Sequence, residues 1–258
     1  MSRPVTDWSS VELGPLERLD DLLCSGRHII QNKEQFCFSI DAVLLARYPR
    51  YRKSWRVFDL GTGTGVMPLL MADQVREVHA IEINPVMAEL ARRNVRLNGL
   101  EEKIHVRQGD YRRIREMYLA ESFDCVIVNP PYRPLRHGTI STLEGVASAR
   151  HEVTATLEDV LKAARYLLKF HGKFAMVHLP ERLGEIIVAM DRNQIRIKRL
   201  RMVQPKADKT SNLMLIEGVV GAAPGGMKAE LPLIVHKADG SYTDEILKIY
   251  NMKADLHD

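Results

Sequence analysis

Apolar residues in the middle of the chain come in short runs separated by stretches of helical period. Residues 55–60, 78–83 and 124–128 read as buried strands, and 103–108 alternates as a half-buried one. Between them, 66–72 and 85–98 read as helices. Pro68 falls in a first turn, where its missing N–H is harmless, and Asn98-Gly99 is a stop signal. Residues 157–170 carry Leu157, Val160, Leu161, Ala164, Leu167 and Leu168 on one face, with His171-Gly172 expected to close the helix. A strand over 173–179 and a helix over 181–191 follow. Two late strands, 195–204 and 211–220, are expected to form an antiparallel hairpin at one sheet edge. Strand and helix thus alternate over 54–220, the signature of an α/β fold with a parallel, doubly wound sheet.

The flanks differ in character. Residues 1–14 form a polar lead. A short strand is expected at 27–31 and a short helix at 41–48, with Phe38-Ser39-Ile40 at its entry and Ser39 as its cap. Residues 133–150 are rich in Gly, Ser and Thr without a period, and a loop this long is functional or disordered. Pro224-Gly225-Gly226 breaks the chain before an extended 231–236, a turn at Asp239-Gly240 and a helix over 242–250. Two parts are expected: 1–50, an annex or lid over the ligand pocket, and 51–258, the main domain with a C-terminal extension.

With 258 residues, 45% of them hydrophobic and 27% charged, the chain reads as an ordinary soluble globular protein. It has no run near the ~18 apolar residues of a membrane helix. Met1-Ser2-Arg3-Pro4-Val5 lacks the charged-then-apolar pattern of a secretion signal. Cys24, Cys37 and Cys125 lack metal-ligand spacing. The expectation is a cytoplasmic protein with no metal and no membrane partner; the oligomeric state is not legible. A net charge of +4 and a pI near 8.9 permit nucleic-acid binding without demanding it. Basic residues cluster at Arg92-Arg93, at Arg112, Arg113 and Arg115, at Arg133 and Arg136, and from Arg196 to Lys209.

The chemistry concentrates where strands end. Asn129-Pro130-Pro131-Tyr132 follows the strand at 124–128. Two prolines stiffen the turn, and Asn129 is held extended by the proline after it. The arm presents an amide oxygen, the Pro130 carbonyl and an aromatic face, which together suit a planar ring bearing an exocyclic NH2. It resembles the motif of methyltransferases that modify planar amino groups, such as N6 of adenine or a glutamine amide. Upstream, Asp59 precedes Gly61-Thr62-Gly63-Thr64-Gly65. The G-x-G-x-G spacing departs from the G-x-G-x-x-G of dinucleotide binders. A carboxylate beside the glycines suits a cationic amine, such as the methionyl part of S-adenosylmethionine, better than a pyrophosphate. Glu82, 21 residues after Gly61, is spaced to accept ribose hydroxyls. Ile83 can pack on the cofactor's adenine, and Asp110 is placed to receive its amino group. Asp59, Glu82, Asp110 and Asn129 fall at the carboxyl ends of successive strands, the edge where open α/β sheets bind ligands.

The arrangement looks like a class I S-adenosylmethionine-dependent methyltransferase, with a mostly parallel seven-stranded Rossmann-like sheet. It is similar, more closely, to the bacterial tRNA(Val) adenine-N6 methyltransferase family. The landmarks are Glu17-Arg18-Leu19-Asp20-Asp21-Leu22, Phe38-Ser39-Ile40-Asp41-Ala42-Val43-Leu44-Leu45-Ala46, the glycine motif, Asn129-Pro130-Pro131-Tyr132, Ala149-Arg150-His151-Glu152 and the tail from Asp239 to Ile246. The resemblance implies methylation of the anticodon-adjacent adenine of a tRNA. It implies catalytic Asn129, Pro130, Pro131 and Tyr132, and a cofactor held by Asp59, Gly61, Gly63, Gly65, Glu82, Ile83, Asp110 and Asn129, with Phe38 and Ser39 of the annex. RNA contacts are expected from Arg133, Arg136, Arg150 and His151. Three alternatives stay open here: glutamine-amide methylation of a protein, guanine-N2 methylation of ribosomal RNA, and a non-catalytic nucleotide-binding scaffold.

Overall fold

The computed structural model describes residues 11–23, 26–35, 39–132 and 155–250. It opens with β1 (Glu17–Asp21) and β2 (His28–Asn32), an antiparallel hairpin, and α1 (Ile40–Arg47). Then come β3 (Arg56–Leu60), α2 (Val66–Met71), β4 (Glu77–Glu82), α3 (Pro85–Leu97), β5 (Ile104–Gln108) and β6 (Phe123–Val128). After α4 (Leu157–Leu167) follow β7 (Leu168–His178), α5 (Leu183–Arg192), β8 (Ile195–Gln204) and β9 (Leu213–Val220). Two short strands, β10 (Lys228–Ala229) and β11 (Leu233–Ile234), and α6 (Asp244–Ile249) complete the described chain.

One sheet carries the order β10-β8-β9-β7-β6-β3-β4-β5, with β11 also paired to β8. The seven long strands match the expectation, and the two dipeptide strands extend the sheet to nine. Strands β5, β4, β3, β6 and β7 run parallel, whereas β9 lies antiparallel between β7 and β8. A buried acid fixes β9 inside the sheet. Glu217, 2% exposed, takes Lys173 of β7 at 3.2 Å on one oxygen and Arg199 of β8 at 3.2 Å on the other. Removing either cation would leave the buried carboxylate with a single partner, and removing both would strand its charge.

Strand alternation builds two cores. Val57, Val78, Cys125, Ile127, Ala175 and Val177 face α1, α2 and the α3 residue Val95. Phe58, Leu60, Val126, Val128, Phe174 and Met176 face α4 and α5. Successive side chains of a strand point to opposite faces, so a strand covered on both sides reads as a continuous apolar run. Fully burying a Leu or Phe contributes about 2 kcal/mol, and both faces hold many.

The helix expected over 157–170 ends early, at Leu167. Leu168 is already extended (φ −77°, ψ 131°) and pairs with Phe123. Edge donors replace the helical ones there: Glu121 N–H donates to Tyr166 O and Ser122 N–H to Leu167 O. The expected helix is therefore three residues too long, and His171-Gly172 lies inside β7 rather than closing a helix. The helix expected over 181–191 starts as a 3-10 turn (Pro180–Arg182) before α5. Ser39 occupies the N-cap position of α1 without capping it. Its hydroxyl donates instead to Asp41.

Beyond the apolar packing of α1, polar contacts tie the N-terminal segment to the rest of the chain. Asn94 on α3, fully buried, accepts from Ile30 N–H at 2.6 Å and donates to Ile30 O and Thr64 O at 3.0 and 2.9 Å. Arg93 holds Glu17 at 2.6 Å. Arg27 donates to Leu69 O and pairs with Asp73 at 2.6 Å.

Candidate active site

Topology creates the site. From β3 the chain proceeds to β4 and β5 on one side, then returns to β6 on the other. After β3 comes α2 on one face of the sheet, and after β6 comes α4 on the other; such a switch point is where open α/β sheets bind ligands. The glycine loop leaves β3 and Asn129 leaves β6, on neighbouring strands paired as far as Leu60 and Val128. Glu82 ends β4, and Asp110 lies just beyond β5. With strands about 4.8 Å apart, the four positions span roughly 14 Å of one edge.

The glycine loop is held from β4. Gly61 and Thr62 N–H both donate to Ile81 O at 3.0 Å, and Gly63 N–H donates to Glu82 Oε2 at 2.9 Å. Gly65 N-caps α2 at φ 84°, with the position of a Cβ only 3.3 Å from Ala91 Cβ of α3. Any side chain there would meet both backbone strain and a packed helix. Glu82 takes Asn84 N–H at 2.9 Å on its other oxygen. Each carboxylate oxygen has two acceptor sites, so with the Ile83 N–H as a third donor one site remains for a ligand. Burial pushes the Glu82 carboxyl up, against the three backbone N–H groups of Asn84, Gly63 and Ile83.

Asp59 is different. It is wholly buried, and neither carboxylate oxygen has a hydrogen-bond partner among the described residues. Burial pushes its carboxyl up to about 7; the Thr62 hydroxyl opposes this and the Glu82 charge adds to it. Asp59 is thus an unsatisfied acceptor beneath the loop rather than an open carboxylate on its surface. Ile83 is 37% exposed at the end of β4, available as an apolar platform. Asp110 stands where expected but is already engaged. Arg112 approaches it through its backbone N–H at 2.9 Å, Nε at 2.8 Å and Nη2 at 2.6 Å. Burial alone would raise this carboxyl, but Arg112 outweighs it and holds the group low. A ligand amine would have to displace Arg112.

The arm after β6 has a wall and a latch. Asn129 and Pro130 are half-buried and Pro131 is exposed. The Tyr132 ring meets His178 edge-on, with centroids 5.4 Å apart. Burial, then the Arg182 charge, brings His178 down to about 4, so the wall is neutral at physiological pH. The Tyr132 hydroxyl reaches Asp41 of α1 and lies 3.1 Å from Asn129 Oδ1. Burial and the Asp41 charge push the phenol well above its ordinary range. Asp41 itself is 4% exposed, and it also takes the Ser39 hydroxyl and Ala42 N–H.

Phe38, Arg133, Arg136, Arg150 and His151 lie outside the described residues. The basic run from Arg196 braces the structure: Arg199 pairs with Glu230 at 2.8 Å, Arg201 with Glu245 at 2.7 Å, and Lys198 donates to the carbonyls of Ala223 and Gly225. Glu77, His79 and His105 bring ligand-type atoms within 4.8 Å of one another, but at the opposite end of the strands and beside Arg56. Asp41 and Asn94 were given no role from sequence. Both carried a signal, as polar residues on otherwise apolar helix faces (Ala42 to Ala46, and Met87, Leu90, Ala91, Val95).

These acceptors fit an S-adenosylmethionine-type cofactor. An orphaned buried carboxylate, a glutamate with a spare acceptor site and open space around the Cβ position of Gly61 lie at the adjacent ends of β3 and β4. Comparison with known proteins agrees. The family model described as a methyltransferase domain matches residues 52–219. A tRNA1(Val) (adenine(37)-N6)-methyltransferase of Tolumonas auensis is 29% identical over 228 residues, covering 86% of this chain and 91% of the relative. The protein of the same name from Vibrio vulnificus is 30% identical over 182 residues, covering 69% and 74%. Among solved structures, a predicted O-methyltransferase from Agrobacterium tumefaciens superposes with a TM-score of 0.66 at 24% identity, covering 82% of this chain and 95% of that one. At that identity the likeness speaks to the fold alone.

Proposed function

The chain belongs to the methyltransferase-domain family and to the tRNA1(Val) (adenine(37)-N6)-methyltransferases, and from that premise we propose that it methylates N6 of the anticodon-adjacent adenine of a tRNA through Asn129 and Pro130. The cofactor is S-adenosylmethionine, which supplies an electrophilic methyl group on a sulfonium. One observation carries the reading: the Asn129-Pro130-Pro131-Tyr132 arm leaves the strand next to the one that launches the glycine loop.

An aryl amine is a weak nucleophile because its lone pair is delocalised into the ring. The Asn129 amide oxygen and the Pro130 carbonyl each accept one N–H and favour a more tetrahedral nitrogen. Positive charge grows on that nitrogen during attack, so both acceptors bind the transition state more strongly than the ground state. The extra proton then leaves to solvent. Glu82 holds the ribose, and Asp59 offers its unpartnered oxygens to cofactor donors that reach beneath the loop. Holding amine and methyl group in line provides much of the acceleration. Tyr132 stacks on the extruded adenine and offsets part of the unstacking cost. Anticodon loops suit such a site because their bases unstack readily. Arg133 and Arg136, next to the arm in sequence, contact backbone phosphates.

The test is methylation of bulk tRNA by purified protein with isotope-labelled cofactor, followed by nucleoside analysis. N6-methyladenosine supports the reading. Label in protein glutamine, in guanosine or nowhere defeats it.

A further inference from the structure

The Tyr132 hydroxyl stands between two oxygens. One is a carboxylate oxygen of Asp41, and the other is Asn129 Oδ1 at 3.1 Å. A phenol has one hydrogen, so it can donate to only one of them. The carboxylate is the stronger acceptor, being charged. It also sits in the first turn of α1, where the helix dipole favours negative charge. Asp41 is itself fixed in place, because Ser39 Oγ–H and Ala42 N–H occupy its other oxygen and it is 4% exposed. The phenolic proton therefore goes to Asp41.

That leaves the phenol oxygen facing the Asn129 amide with nothing between them but lone pairs. The contact becomes favourable when the amide turns over, so that Nδ2–H donates to the tyrosine oxygen. The two ends of a carboxamide have nearly the same shape, so the network decides which end faces the phenol. The chain of hydrogen bonds then runs in one direction, from Asn129 to Tyr132 to Asp41. Its consequence is chemical. With Nδ2 committed to Tyr132, Oδ1 is turned away from the phenol and left for a substrate N–H.

We infer that Asp41 is a positioning residue, which polarises Tyr132 and thereby fixes the Asn129 amide with its oxygen presented to the substrate amine. The inference rests on the amine-clamp role proposed above for Asn129. It links the annex to the chemistry through one carboxylate on α1.

Substitutions distinguish this from a packing role by the order of their effects. Tyr132→Phe keeps the ring but frees the amide to rotate; kcat should fall about tenfold, the loss of one oriented hydrogen bond. Asp41→Ala should be worse, about a hundredfold in kcat, because the phenol then donates to Asn129 Oδ1 and occupies the very oxygen the amine needs. In the double variant that competitor is gone, so Tyr132→Phe should rescue Asp41→Ala to about the Tyr132→Phe level. KM for tRNA should move less than about threefold between Asp41→Ala and the double variant, whose rings stack alike, as expected of an effect on the chemical step. A second readout needs neither cofactor nor RNA. In asparagine-15N-labelled protein the Asn129 side-chain NH2 should exchange slowly and shift in Tyr132→Phe. Rescue together with that shift supports the inference. Additive losses, or an Asn129 amide insensitive to Tyr132→Phe, overturn it. Should Asp41→Ala fail to fold, the amide signal alone decides. Failure of wild-type protein to methylate tRNA adenine would defeat the proposed function, while the amide readout would still judge the hydrogen-bond direction.

Discussion

Asp59→Asn should stabilise the cofactor-free protein at alkaline pH while weakening its cofactor site. The carboxyl is wholly buried, its oxygens lack partners among the described residues, and it is pushed from 3.8 up to about 7. Between roughly pH 4 and 7 the unfolded chain has lost this proton and the folded chain still holds it. The folded state binds more protons across that window, so stability falls as pH rises through it, and the loss is complete above about 7. About three pH units at 1.36 kcal/mol each set a ceiling of roughly 4 kcal/mol, and partial relaxation makes roughly 2–4 kcal/mol the working range. The amide is nearly isosteric and never charges, so it removes the penalty. For a chain of 258 residues at roughly 2–4 °C per kcal/mol, Tm at pH 8 should rise by about 4–16 °C. At pH 5, about 1.2 of the 3.2 pH units into the window, the gap should be a little over a third of its pH 8 value. Thermal unfolding followed by circular dichroism from pH 5 to 8 gives both profiles. Parallel profiles, or a variant no more stable than wild type at pH 8, would refute the account of Asp59. Adding cofactor should stabilise the wild type more than the variant, since only the wild type has an unsatisfied carboxylate to gain a partner.

Glu82→Ala removes the acceptor that anchors Gly63 N–H and Asn84 N–H as well as the ribose site; calorimetry should show cofactor affinity down about 10- to 100-fold, the loss of charge-assisted bonds. Asn94→Ala leaves the backbone groups of Ile30 and the carbonyl of Thr64 without their partner; denaturant unfolding should show a loss of roughly 3 kcal/mol, with the glycine loop loosened and cofactor affinity lower. Neutralising Arg133 and Arg136 together should weaken tRNA binding and reduce the slope of its logarithm against log salt by about 1.5, read by filter binding over a salt series.

Much of the fold was legible because the buried strands announce themselves. β3, β4 and β6 are covered on both faces, so each reads as a short apolar run, broken by Asp59 in β3 and His79 in β4, and the segment patterns between them are short. Boundaries were less legible where two periods overlap. Leu168 continues the apolar face of α4, yet its backbone is claimed by pairing with β6, a contact distant in sequence. The interior place of β9 was hidden for a similar reason: Glu217 looks like a surface acid until Lys173 and Arg199 close around it. In the site, the acids at strand ends were legible from spacing alone, but their states were not. Sequence could not show that Arg112 occupies Asp110 or that Asp59 is buried without a partner. Asp41 meets Tyr132 across 91 residues of chain, so only the folded annex brings that pair together.

An oxygen clamp at Asn129 and Pro130, gripping an adenine amine, is the centre of the proposed chemistry. Tandem mass spectrometry of nuclease fragments from one defined tRNA, treated with wild-type protein or Asn129→Ala, tests this most directly. The expected result is N6-methyladenine beside the anticodon with the wild type, and turnover lower by about 10²–10³ with Asn129→Ala while cofactor affinity is retained. Equal methylation by both proteins, or a methyl group on any atom other than adenine N6, would contradict it.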